Sequence, residues 1–123
     1  MKGARVGVFE DFPALQEMFK SWLEMYGHEV VMTATSLKEA KEVIEQADPG
    51  SLDVALVDGD LGENPHEGAE IIKSLRQKMG EIAIVNVSGE YPADGADTHI
   101  PKGKVEQIMT YILQLRPETS DKS

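Results

Sequence analysis

The sequence predicts an α/β domain: a doubly wound, parallel, five-stranded sheet with helices on both faces. Three observations carry this. Short apolar, β-branched runs alternate with segments whose apolar residues recur every three or four positions. The strand-like runs are apolar almost throughout, as in strands buried on both sides. Alternation of strand and helix implies right-handed crossovers and parallel pairing.

The elements follow in order. "RVGVFED" (5–11) is a short apolar strand that ends in acid. The segment 13–27 reads as a helix, with Leu15, Met18, Phe19, Trp22, Leu23 and Tyr26 on one core-facing stripe. Pro13 suits its first turn and Gly27 its end. Its methionines read as core filler, because Met adapts to irregular gaps. His28 reads as a residue that simply follows the helix stop. "EVVMTAT" (29–35) is the second strand. The next helix (36–47) opens with Ser36 and Glu39, the spacing of a capping box, and turns Leu37, Ala40, Val43, Ile44 and Ala47 inward. After the turn "DPGS" comes the third strand, 52–58. A helix over 67–80 buries Ile71, Ile72, Leu75 and Met79, and "EIAIVNVSG" (81–89) is the fourth strand. "DTHIPK" (97–102) is a weak fifth strand, and 104–115 is a last helix with Val105, Ile108, Met109, Ile112 and Leu115 as its apolar stripe. Residues 1–115 form one domain, and 116–123 form a polar tail that frays.

Composition removes several functions. The formal net charge is −10, which argues against nucleic acid or an anionic membrane as a direct ligand but not against a divalent cation. There are no cysteines, so disulfides, thiolate catalysis and cysteine-held metal centres are excluded. No apolar run approaches the roughly 18 residues of a membrane span, and the first residues lack a signal-peptide pattern. A cytoplasmic protein is expected. The chain is expected to be either a single-domain protein or a piece of a longer one, and the opening "MKG" and short polar tail favour the former.

Charge at the end of a buried strand is costly unless neutralised, yet "VALVDGDL" (54–61) ends in two aspartates. In open parallel sheets, ligands sit at the carboxyl ends of the strands. There the first strand brings Glu10 and Asp11, the third Asp58 and then Asp60, the fourth Ser88 and the fifth Lys102. Hard oxygen donors in a small cluster suit Mg²⁺. An aspartate beside such an ion can attack a phosphoryl group and form an acyl phosphate. A lysine and a hydroxyl would then contact the phosphoryl oxygens.

The series Glu10-Asp11, Asp58, Ser88, Lys102 resembles the receiver domain of two-component response regulators, a flavodoxin-like (βα)5 fold. The likeness spans residues 4–115, includes the spacing from Asp58 to Ser88, and extends to "GADTHIPK" as the approach to the lysine. The resemblance implies that Asp58 accepts a phosphoryl group from a histidine kinase or a histidine phosphotransfer protein. It implies a Mg²⁺ site from Asp11, Glu10 (often through water), Asp58 and the backbone carbonyl of Asp60. Ser88 would be the switch hydroxyl, Lys102 the phosphate-contacting lysine and His99 the switch side chain. Such a domain promotes only its own phosphorylation and dephosphorylation and is not otherwise an enzyme. It acts as a signalling switch or phosphate shuttle.

The chain departs from that pattern in four places. "SGEYPADG" (88–95) is too short for a full fourth helix, and Pro92 with two glycines opposes even two turns, so this helix is expected to be short or missing. His99 stands where the family has Tyr or Phe, and Gly103 where it has Pro. The loop "GDLGENPHEG" after Asp58 is about two residues longer than usual for the family. Glu90 lies where the family tunes dephosphorylation, or is simply exposed; His66 reads as a loop residue rather than a ligand. Two alternatives stay open. "VDGDL" also resembles the Asp-x-Asp motif of haloacid-dehalogenase-like phosphotransferases, although that motif sits on a first strand with a larger domain after it. The other is a pseudo-receiver that binds partners without accepting phosphate, although no acceptor, acidic-pair or lysine position has been lost.

Overall fold

A computed structural model of the chain describes residues 3–58, 66–88, 95–101 and 104–115. Within them run β1 (Arg5–Phe9), α1 (Pro13–Met25), β2 (Glu29–Ala34), α2 (Leu37–Gln46), β3 (Val54–Asp58), α3 (His66–Met79), β4 (Ala83–Ser88), β5 (Thr98–Pro101) and α4 (Val105–Leu115). The strands form one sheet in the order β2-β1-β3-β4-β5, and every neighbouring pair is parallel. This is the doubly wound parallel architecture that the alternating periods predict, in the flavodoxin-like strand order that the resemblance implies.

The sheet separates two apolar layers. Phe9, Ala55, Val57 and Ile84 point to one face and pack with Ala40 and Ile44 of α2 and Ile71, Ile72 and Leu75 of α3. Val6, Val8, Val54, Leu56, Val85 and Val87 point to the other and meet Phe19 and Leu23 of α1 and Ile108 and Ile112 of α4. The period of two along each strand makes this division. β3 is buried at every position because it lies in the middle, whereas β2 is an edge strand and exposes alternate residues.

Ser36 caps α2 as its spacing predicts, its Oγ accepting the Glu39 N–H at 3.1 Å. Glu39 reaches back to Thr35, accepting its N–H at 2.7 Å and its hydroxyl at 3.0 Å. Ser36 thus satisfies one orphan donor of the helix start, and Glu39 ties the preceding Thr35 to the same turn.

Two expectations need correction. α1 buries Gln16, Phe19 and Leu23, while Met18, Met25 and Tyr26 are exposed. At 3.6 residues per turn the apolar residues of α1 form one arc of about 160°; the sheet covers only the flank with Phe19 and Leu23, which runs on to Gln16, and leaves Met18 and Met25 on the other flank exposed. His28 is not a bystander. It is buried, and its Nδ1 accepts the Ala4 N–H at 3.0 Å, joining the start of β1 to the end of α1. An accepting Nδ1 places the ring proton on Nε2. His28→Leu should cost about 1–3 kcal/mol in chemical denaturation, because it leaves a buried amide without its acceptor. A loss below a few tenths would show that water replaces the imidazole.

The link from β4 to β5 decides the shape of one edge. Nine residues separate Ser88 from Thr98. Thr98 pairs with Val85, so the chain must run back about 10–13 Å along the sheet. A two-turn helix takes about seven residues and would leave about two for both of its connections. The described residues hold four helices; residues 89–94, where a helix between β4 and β5 would lie, are outside them.

The end of this link is tied down by Arg76 of α3. Its guanidinium donates to the Ile82 carbonyl at 2.8 Å and the Gly95 carbonyl at 3.0 Å, and pairs with Asp97 at 3.2 Å. Asp97 in turn accepts the Ile84 N–H on Oδ2 at 2.7 Å and donates its own N–H to the Ile84 carbonyl at 2.8 Å. Gly95 has φ +94°, and a Cβ there would sit 3.0 Å from Ile72 Cγ2. Gly95→Ala should therefore lower stability by about 1–3 kcal/mol. An unchanged denaturation midpoint would mean that the turn re-forms with negative φ.

Candidate functional site

Charge is treated differently at the two ends of the sheet. At the amino edge Asp53 is matched, accepting from the Arg5 amide at 2.8 Å and from its guanidinium at 3.0–3.1 Å. The hydrogen bond to Asp53, and then its charge, raise the Arg5 pKa above its ordinary value. At the carboxyl edge, carboxylates converge instead. Phe9 pairs with Val57, so the next residues along the two strands, Glu10 and Asp58, lie side by side. Each is only 2% exposed. Asp11 is exposed and begins the turn into α1. One oxygen from each of the three lies within 4.8 Å of the others.

Backbone contacts hold this end of β1. The Glu10 N–H donates to the Ala34 carbonyl at 3.1 Å. Glu10 Oε2 accepts the Phe12 N–H at 3.2 Å. Phe12 is the N-cap of α1 and offers no side-chain cap, so the Glu10 carboxylate serves an N–H at the helix start. From α1, Gln16 Nε2 donates to the Ala34 carbonyl at 2.9 Å and lies 3.5 Å from the Glu10 carbonyl.

The donor set fits a hard divalent cation. Two oxygens on opposite sides of Mg²⁺ stand about 4.2 Å apart, and slightly further apart on Ca²⁺. Oxygens within 4.8 Å of one another need little closing to match that spacing. Two buried carboxylates at this distance repel by about 3 kcal/mol at an effective dielectric of about 20, which a bound cation reverses.

The remaining predicted residues are placed in part. Ser88 ends β4, one residue beyond the partner of Asp58, and its backbone lies opposite Pro101. Lys102 follows Pro101 in the chain. His99 is half-buried on β5, directly opposite Asn86. Asp60, Glu90, Lys102 and the Ser88 side chain lie outside the described residues, as does the long loop after Asp58.

Two buried amides near the site went unread in the sequence. Asn86 is fully buried on β4, and its Nδ2 donates to the Val57 carbonyl at 3.0 Å, next to Asp58. Gln16 is the other. The signal for Asn86 was present, since it interrupts the apolar run "AIVNV" on the same face as Ile84. For Gln16, one polar residue in an amphipathic helix gives no such sign.

Comparison with known proteins gives a consistent result. A family model for the response regulator receiver domain matches residues 6–112. Among solved structures, the Francisella response regulator 1452 receiver domain is 19% identical with a TM-score of 0.76, covering 96% of this chain and 100% of that one. A response regulator receiver domain protein (CheY-like) from Methanospirillum hungatei JF-1 is 22% identical with a TM-score of 0.73, covering 95% and 99%. A response regulator protein from Burkholderia pseudomallei, solved with a phosphorylated aspartic acid, calcium ion and citrate, is 21% identical with a TM-score of 0.74, covering 95% and 73%. No curated protein matches the chain. With five parallel strands in the expected order and a family match over nearly all of them, the chain belongs to the response regulator receiver domain family.

Proposed function

We propose that this receiver domain takes a phosphoryl group onto Asp58 from a phosphohistidine and so works as a switch or phosphate shuttle in cytoplasmic signalling. The observation that carries the reading is the convergence of Glu10, Asp11 and Asp58 at one strand edge. A carboxylate oxygen of Asp58 bonds to phosphorus, the P–N bond to the donor imidazole breaks, and its electron pair returns to that ring. The product is an acyl phosphate. Glu10, Asp11, Asp58 and the Asp60 carbonyl would hold Mg²⁺, which when bound offsets the negative charge that phosphoryl transfer brings together. Lys102 and Ser88 contact the phosphoryl oxygens, Glu90 influences how quickly water removes the group, and His99 follows Ser88. The domain turns over no other substrate. Intact mass after incubation with a small phosphodonor and Mg²⁺ tests this: a gain of one phosphoryl group is expected, and release of phosphate from an unrelated phosphomonoester would point to a hydrolase instead.

The exposed flank of the apolar arc on α1 supports a protein as the donor. Phe12 (61% exposed), Met18 and Met25 (74%) continue away from the acidic edge, with Leu15 and Trp22 half-buried between them. A row of exposed apolar side chains beginning at a chemical site marks a contact surface. Met18→Glu should slow transfer from a phosphohistidine protein about tenfold or more, and leave labelling by a small donor unchanged. Equal slowing with both donors would remove α1 from the interface. No helix among the described residues is long and apolar enough to cross a membrane.

A further inference from the structure

Of the three side chains that α1 buries, two are apolar and the third is the amide of Gln16. An apolar residue would occupy that position without penalty, whereas a buried amide is costly unless it is bonded. Gln16 Nε2 donates to the carbonyl of Ala34 at 2.9 Å and approaches that of Glu10 at 3.5 Å. Ala34 is the last residue of β2, and Glu10 directly follows β1. The same Ala34 carbonyl accepts the Glu10 N–H. Gln16 therefore grips the chain where it leaves the sheet, and the peptide it approaches is the one that aims Asp11.

We infer that Gln16 is a positioning residue for the acidic site, holding the β1–α1 turn so that Asp11 stays beside Glu10 and Asp58. Glu10 and Asp58 are held by adjacent paired strands, whereas Asp11 stands on a turn and has the most freedom to swing away. Three carboxylates whose oxygens lie within 4.8 Å push apart when no cation is bound, and the turn is where the strain would be relieved. The Gln16 amide denies that relaxation. A site held in its bound geometry pays less to bind its ion. This inference rests on the reading of the site as a Mg²⁺ site.

The test is Mg²⁺ titration of the full chain by competition with terbium luminescence, with melting in EDTA measured in parallel. Gln16→Met keeps an unbranched side chain of similar length and removes the donor. The expected result is a Mg²⁺ midpoint raised about tenfold, the scale of outer-sphere partners of metal ligands, with Asp11→Asn raising it further. A purely structural role would lower the melting temperature in EDTA and leave the midpoint in place, which would overturn the inference. Should Gln16→Met not fold, Gln16→Asn, whose amide is one methylene short of the Ala34 carbonyl, is titrated instead, with the same outcomes. A wild-type chain whose Mg²⁺ binding is absent, or insensitive to Asp11→Asn, would overturn the metal reading itself. Wild-type binding that Asp11→Asn weakens and Gln16→Met does not would overturn this inference alone.

Discussion

Asp58→Ala should abolish the gain of one phosphoryl group expected of the wild-type chain with a small phosphodonor and Mg²⁺, whereas Asp60→Ala should keep at least part of it. Asp58 ends the central strand, 2% exposed, next to Glu10. Its carboxylate is placed by β3 itself, which is buried at all five positions. Asp60 lies two residues further on, and the proposed role there belongs to its backbone carbonyl, which alanine also supplies. Asp58→Asn should lose labelling as completely as alanine, because an amide keeps the shape and lacks the nucleophilic charge. Circular dichroism of the asparagine variant separates lost chemistry from lost fold. Labelling that persists without Asp58 and disappears without Asp60 would move the acceptor.

The second large effect is on the metal. Asp11→Asn should weaken Mg²⁺ binding by about a hundredfold or more, beyond the about 10–100-fold typical of an outer-sphere partner. Glu10→Gln should weaken it less, because water can mediate that contact. In EDTA the order of stabilities should reverse. Removing one of two buried carboxylates that stand side by side relieves repulsion, so metal-free Glu10→Gln should unfold at higher denaturant than wild type, by about 1 kcal/mol. Saturating Mg²⁺ should then raise wild type above the variant, because a ligand that binds only the folded state stabilises it by mass action. A variant that is less stable in EDTA as well would mean that the Glu10 charge is already compensated within the fold, the Phe12 N–H at the start of α1 being one contributor.

Much of this was legible in the sequence, for a physical reason. Parallel strands share a carboxyl edge, so once the strands were placed, Glu10, Asp11 and Asp58 had to meet there. The burial of α1 was not legible. Leu15, Met18, Phe19, Trp22, Leu23, Met25 and Tyr26 form a single apolar arc, and periodicity finds its centre, whereas the sheet covers the flank that carries Phe19, Leu23 and the polar Gln16. Gln16 and His28 were passed over because both residue types are commonly exposed, and only the carbonyl and amide they meet, distant in sequence, make them structural. The shortness of the fourth crossover was legible because the two strands that bound it are apolar and leave only nine residues between them.

That short crossover also bears on how the chain folds. Closing a loop costs more entropy the longer the loop, by about (3/2)RT ln n. Nine residues separate β4 from β5, against 24 between β3 and β4. On that scale the closing step is cheaper by about 0.9 kcal/mol, or about fourfold in rate if closure limits it. β5 can therefore join β4 soon after β4 forms, because so short a link closes quickly. The exposed edge of β4, a template for pairing with other chains, is then covered early in folding, when aggregation competes most strongly.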